Sequence, residues 1–164
     1  MKNKKENKKE DKKILVLIVA YNAEKTIGKL LDKFPKENLN RVNEIIIADD
    51  ASSDSTSILA QEYKAKYNLK KLKIIKHEQN KGYGGNQKWG YNYAIKNNFD
   101  VVVMVHGDAQ YPPEQILELV DPILQDKADF VFGSRIAGDP LGGGMPLYKF
   151  IANKFLTAAE NLIL

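Results

Sequence analysis

The 164-residue sequence predicts an α/β fold with a mostly parallel sheet and helices on both faces. Three observations lead there. Several short apolar runs, Ile14–Ala20, Glu44–Ala48 and Val101–His106, are rich in β-branched residues, and the first of them reads as a strand buried on both faces. Apolar stripes at helical spacing fall between them. The alternation of strand and helix from residue 14 to 133 demands crossover connections, which are right-handed and place the strands in parallel.

The first strand is followed by Ile27, Leu30, Leu31 and Phe34 at i, i+3, i+4 and i+7, an amphipathic helix that Pro35 should close. Glu44–Ala48 runs into the polar loop Asp49–Thr56, rich in residues that cap helices, and a helix through Ile58, Leu59 and Tyr63 follows. Leu72–Lys76 alternates more than the earlier strands and is expected near an edge of the sheet. Asn80–Asn86 looks too glycine-rich for helix or strand, and a helix carrying Trp89, Tyr93 and Ala94 comes after it. These aromatic residues read as core and surface packing, not as a platform for stacked bases. After Val101–His106, Pro113 suits a first helical position and Glu114 the positive end of the helix dipole; Ile116, Val120, Ile123 and Leu124 supply the buried face. Phe130–Phe132 is expected as a fifth strand. Asp139–Gly144 reads as a loop, and Leu147, Phe150, Ile151, Phe155, Ala158, Ala159 and Leu162 form the apolar side of a last helix. The chain stops in Asn161–Leu164, so it is expected to be a fragment.

Composition excludes several classes. Without cysteine there is no disulfide, thiolate metal site or thiol nucleophile, and a reducing compartment is implied. The net charge of +4 resides in residues 1–13, where seven lysines face three carboxylates; the remainder carries 18 charges of each sign. That balance argues against nucleic acid as a partner. The tail is expected to be disordered, with attraction to an anionic membrane surface as its other possible use. The apolar run at 14–20 is too short to span a membrane and is not followed by a signal cleavage site.

If the sheet is parallel, the polar loops Tyr21–Glu24, Asp49–Ser52 and His106–Gln110 lie on its one carboxyl edge, where open α/β sheets bind ligands. Carboxylates there suit a nucleotide held through a hard divalent cation, which takes one or two carboxylates plus phosphate oxygens. Asp108 is the best-placed ligand. His106, two residues earlier on the strand, faces the same side and could add an imidazole, or simply be a hydrogen-bonded histidine at a strand end. Asp54 reads as a helix cap. Gly82–Gly85 meets neither the dinucleotide nor the phosphate-loop pattern. A nucleotidyltransferase would need a basic loop early in the chain, which Tyr21–Thr26 is not.

Taken in order, Val19–Asn22, Asp49–Asp54, Asn80–Gly84, His106–Gln110 and Gly133–Arg135 resemble family 2 glycosyltransferases of the GT-A fold, the nucleotide-diphospho-sugar transferase fold. The branch most similar is the polyprenyl-phosphate glycosyltransferases of dolichyl-phosphate mannose synthase type, whose acceptor-side helix Met145–Thr157 also resembles. The resemblance implies a GT-A-like catalytic domain over residues 14–164, lacking its C-terminal part. It also implies an inverting, metal-dependent transfer of a hexose from a UDP- or GDP-sugar to a polyprenyl phosphate or glycan acceptor, at the inner, cytoplasmic face of a membrane. Mg2+ or Mn2+ would be the cofactor. Carried over by position, Tyr21 and Asp50 hold the base and ribose, with Ala20, Asn22 and Glu24 also in the nucleotide-sugar site, Asp108 the metal and diphosphate, and Gln110 with Arg135 the sugar or phosphate side. Asp108, through the metal it holds, and Arg135 would be catalytic, the metal and the guanidinium offsetting charge on the leaving diphosphate. The family's Asp-x-Asp reads His106-Gly107-Asp108 here, which puts His106 beside Asp108 as a metal ligand. The family's first-loop proline and glutamate are Val19 and Ala23, with Glu24 in reach as a replacement for the latter. A non-catalytic nucleotide-sugar-binding domain is the alternative reading.

Overall fold

A computed structural model describes residues 12–34, 40–134, 141–142 and 145–163. The basic tail up to residue 11, the helix-closing Pro35, Arg135 and most of the 139–144 loop lie outside the described residues. The last two residues of the basic stretch are engaged: Lys12 Nζ donates to the Ile123 carbonyl at 2.9 Å and pairs with Asp126, and the Lys13 N–H donates to Asp100. Two compact units divide between residues 131 and 132.

In the first unit, β1 (Ile14–Ala20), β2 (Glu44–Asp49), β3 (Leu72–Lys76) and β4 (Val101–His106) form a parallel sheet in the order β3-β2-β1-β4. The expected parallel sheet is therefore present, with β3 at an edge as its alternation predicts. Strand periodicity decides which side each residue covers. Ile14, Val16 and Ile18 of β1, with Ile45 and Ile47 of β2 and Val101, Val103 and Val105 of β4, pack against α1 (Ile27–Asp32), α2 (Thr56–Lys66) and α4 (Ile116–Leu124). The intervening Leu15, Leu17, Val19, Ile46 and Ala48 face α3 (Gly82–Lys96) through Ala94, Trp89 and Tyr93. Helices thus cover both faces. Complete burial of β1 on both sides follows from its central place.

Two local expectations need correction, and the expected helix through Ile58, Leu59 and Tyr63 is present with a buried side that its periodicity did not single out. The glycine-rich stretch is not a loop: Gly82–Gly85 is the first turn of α3. Its start is fixed by the Lys81 N–H donating to Asp50 and the Gly82 N–H donating to Asn80, both at 2.8 Å, which offsets the entropic cost of the glycines. Further along, Gly90 lets α3 approach β1, since a Cβ there would lie 2.7 Å from Leu17 Cδ1. In α2 the buried residues are Thr56, Ser57 and Ala60, with Tyr63 packed beside them, whereas Ile58 and Leu59 are exposed. No strand forms at Phe130–Phe132, where the two phenylalanines are 77% and 74% exposed. A three-residue run offers few ladder bonds against the cost of ordering it.

In the second unit, α5 (Leu147–Ile163) is the helix expected there, and none of its residues is buried. Among the described residues no helix is long and apolar enough to cross a membrane.

Candidate functional site

The carboxyl ends of β1, β2 and β4 and the start of α3 enclose an open cleft of about 850 Å³. Of the residues singled out in the sequence, Ala20, Tyr21, Asn22, Glu24, Asp50, His106 and Asp108 all line it. Gln110 is exposed and is not among the lining residues, and Arg135 lies outside the described residues. Parallel pairing brings these loops together, since β1 neighbours both β2 and β4 with Ala20 opposite Asp49 and Val19 opposite His106.

The loops after β1 and β2 are stitched by side chains accepting or donating across the gap. Ser52 Oγ accepts the Asn22 N–H at 2.9 Å, Asn22 Oδ1 accepts the Ser53 N–H at 3.0 Å, and Thr56 Oγ1 accepts the Ala23 N–H at 2.7 Å. Asp54 Oδ2 accepts the Glu24 N–H at 3.1 Å, while Glu24 Oε2 accepts the Ser55 N–H at 3.2 Å. Asp54 also receives the Thr56 N–H, but it precedes the N-cap, which is Ser55 without a side-chain cap bond, so it is a loop acceptor and not the expected cap. Burial alone would raise the Asp54 pKa, but hydrogen bonds from the Thr56 hydroxyl and the Glu24 and Thr56 amides outweigh it and hold the carboxyl below its ordinary range. Beneath them Asp49 is fully buried and accepts from the Ser52 N–H and the Ser57 hydroxyl. Asp50, 3% exposed, accepts the Lys81 N–H with one oxygen and lines the cleft.

The end of β4 is built differently. Gly107 is pressed against β1, its N–H donating to Val19 O at 2.9 Å, and a Cβ at that position would come within 3.2 Å of the same carbonyl. Thr26 donates to Gly107 O at 2.7 Å, tying this turn to the β1 loop. His106 lies between the rings of Tyr83 and Tyr111, with centroids 5.2 and 5.1 Å away, and a 2.9 Å hydrogen bond joins its Nε2 to the Tyr83 hydroxyl. Desolvation, then the nearby Tyr111, Tyr91 and Asp108, raise the Tyr83 pKa, so this phenol stays protonated at neutral pH. Asp108 is exposed, and its Oδ1 accepts the Gln110 N–H at 3.0 Å.

Sequence reasoning gave no role to Asn86, which lines the floor of the cleft and is 2% exposed. Its Nδ2 donates to Ala48 O and its Oδ1 takes a hydrogen from His77 Nε2 at 3.0 Å, binding α3 to β2. The signal was a polar residue in phase with Trp89, Gly90 and Ala94 on the buried side of α3. Tyr83 and Asn80, quoted only as motif members, also face the cleft.

These donors suit a cation that arrives with phosphates. Among the described residues no three His, Asp or Glu side chains stand together as a closed cage. Asp108 and His106 both line the cleft, and a carboxylate and an imidazole are donors that would suit a divalent ion taking its remaining ligands from a diphosphate and water.

Comparison with known proteins bears on the family and the fold. The family model described as "Glycosyl transferase family 2" matches residues 15–162. A UDP-N-acetylglucosamine–dolichyl-phosphate N-acetylglucosaminyltransferase of Methanococcus voltae is 35% identical over 93% of this chain and 64% of its own length. A dolichol-phosphate mannosyltransferase of Pyrococcus furiosus is 30% identical over 87% of the chain and 38% of its length. The chain therefore spans less than two thirds of either relative. Among solved structures, a Pyrobaculum calidifontis mannosyltransferase in complex with GDP-Man and Mn2+ superposes with a TM-score of 0.54 at 19% identity, covering 64% of this chain and 30% of that one. Glucosyl-3-phosphoglycerate synthase of Mycobacterium tuberculosis, in complex with Mn2+, UDP and glucosyl-3-phosphoglycerate, gives 0.53 at 25% identity, covering 69% and 40%. The fold is the GT-A fold.

Proposed function

The chain belongs to glycosyl transferase family 2, and from that premise we propose that it forms the donor-binding part of an enzyme moving a hexose from a nucleoside diphosphate sugar to a polyprenyl phosphate. The observation that carries this reading is the meeting of Tyr21, Asp50 and Asp108 on one cleft at the carboxyl edge of the sheet. Ala20, Tyr21, Asn22 and Asp50 hold the base and ribose. Asp108, with His106, faces the diphosphate and would hold Mg2+ or Mn2+. When bound, such an ion offsets the charge that grows on the leaving diphosphate. Gln110 and Arg135 serve the sugar and phosphate side. The two dolichyl-phosphate relatives motivate the lipid acceptor.

The proposed chemistry is a single inverting displacement. An acceptor phosphate oxygen attacks the anomeric carbon from the side opposite the diphosphate, and the bond from that carbon to the diphosphate oxygen breaks. A phosphate acceptor is already ionised at neutral pH, so no strong general base is required. Charge grows on the leaving diphosphate, and Asp108, through the ion it would hold, and Arg135 are assigned to catalysis because they would offset it. The exposed apolar residues of α5, among them Leu147, Ile151 and Phe155, and the lysine-rich tail would rest on the cytoplasmic face of the membrane that carries the acceptor.

Calorimetric titration of UDP-N-acetylglucosamine and GDP-mannose, each with Mn2+ and with EDTA, tests the donor half; one of them is expected to bind and to need the metal. Absence of binding by both would refute it. Incubation of the bound donor with polyprenyl phosphate in vesicles tests the acceptor half, and binding without transfer would favour the non-catalytic alternative.

A further inference from the structure

We propose that Asp54 and Glu24 are positioning residues that clamp the loop after β1 to the loop after β2, and that Glu24 serves the donor through this clamp instead of touching the nucleobase. The inference rests on the donor-binding reading of the cleft. Each carboxylate accepts a backbone N–H from the other's loop: Glu24 N–H to Asp54 Oδ2 at 3.1 Å, and Ser55 N–H to Glu24 Oε2 at 3.2 Å. The other oxygen of Asp54 is taken by the Thr56 N–H at 3.0 Å and the Thr56 hydroxyl, so both of its oxygens are committed. Thirty residues of chain separate the two carboxylates, and the exchange closes that long loop at the rim of the cleft.

The clamp borders the two groups assigned to the donor. Tyr21 is 55% exposed and lies three residues before Glu24, with Asn22 between them at φ +47°, a conformation few non-glycine residues adopt. Asp50 lies four residues before Asp54, followed by Ala51 at φ +60°. Exposed residues in such conformations hold their place only when neighbouring contacts fix them. Hydrogen bonds to an ionised acceptor are among the stronger ones. The lowered pKa of Asp54 keeps that acceptor ionised over the working pH range.

Calorimetry with UDP and GDP in Mn2+, on the whole chain and on Glu24→Ala, Glu24→Gln, Asp54→Asn and the Glu24→Ala/Asp54→Asn pair, separates clamp from contact. Asparagine at 54 would turn an amide NH2 or lose an acceptor at the Glu24 N–H. Loss of one such bond corresponds to roughly tenfold in Kd. The clamp therefore predicts that Glu24→Ala and Asp54→Asn each weaken the nucleotide that binds by about tenfold. Glu24→Gln, whose amide oxygen still accepts from Ser55, should weaken it less than about threefold, and the double variant should be little worse than the worse single one. Glu24→Gln as damaging as Glu24→Ala, or fully additive singles, would overturn the proposal. If the unaltered chain binds neither nucleotide, the donor reading fails first. Amide exchange then tests the clamp alone: it predicts that Asp54→Asn speeds exchange at both Glu24 and Ser55, and unchanged protection would contradict it.

Discussion

The two ends of the cleft lie on one sheet edge and are constructed on different principles. After β1 and β2, the side chains of Asn22, Glu24, Ser52, Asp54 and Thr56 are tied to backbone N–H groups across the gap, above a buried Asp49. After β4, Asp108 is exposed and has no ion-pair partner among the described residues, and His106 is held by an aromatic neighbour. Under the proposed donor-binding reading, the difference divides the work of the site. A base and ribose present a fixed pattern of neutral groups, which a prebuilt scaffold can match. A diphosphate with its cation brings charge that can organise an exposed carboxylate on arrival, so rigidity there contributes little.

Removing charge at the exposed end should have the largest effect on function and almost none on stability. Asp108→Asn is expected to lower sugar transfer by about 100-fold or more, while the unfolding free energy from urea denaturation stays within about 0.5 kcal/mol of the unaltered chain. A large loss of stability would mean that the β4 end is scaffold after all. The converse holds for Asp49. Asp49→Ala leaves the Ser52 N–H and Ser57 hydroxyl without their buried acceptor and should cost about 3 kcal/mol in urea denaturation.

Acid should loosen the β1–β2 end selectively. Because the folded pKa of Asp54 is lowered, its contribution is fully present above the unfolded carboxylate value of 3.8 and is lost as pH falls through the folded one. The stability difference between the unaltered chain and Asp54→Asn should thus be constant from about pH 7 to 5 and shrink below about pH 4. A gap that widens in acid would have the wrong sign. The smallest effect concerns the backbone. Ala51 sits at φ +60°, so Ala51→Gly should raise stability by about 0.5 kcal/mol, the relief of left-handed strain less the added entropy of the unfolded chain. A lower melting temperature would show that the methyl group is packed more tightly than its half-buried state implies.

Much of this division was legible in the residues. The spans of β1, β3 and β4 follow from apolar runs, and the edge position of β3 from Lys73 and Lys76 alternating with apolar neighbours. Tyr21, Asp50, His106 and Asp108 were placed together because a parallel sheet leaves strand ends on one side. What stayed hidden depends on contacts between distant segments. Gly82–Gly85 is helical because Asp50 and Asn80 hold its leading amides, and Asp50 is 31 residues from Lys81. Nothing local marks Asn86 as the partner of His77 and Ala48. Nor does the sequence show Glu24 and Asp54 exchanging backbone bonds. Phe130–Phe132 misled because strand propensity in three residues does not supply a partner edge.

A crystal of the chain soaked with UDP or GDP and Mn2+ would test the central claim most directly. The account predicts density for the base between Tyr21 and Asp50, and for the metal and phosphates beside Asp108. A nucleotide ordered elsewhere on the molecule, or phosphates turned away from Asp108, would contradict it.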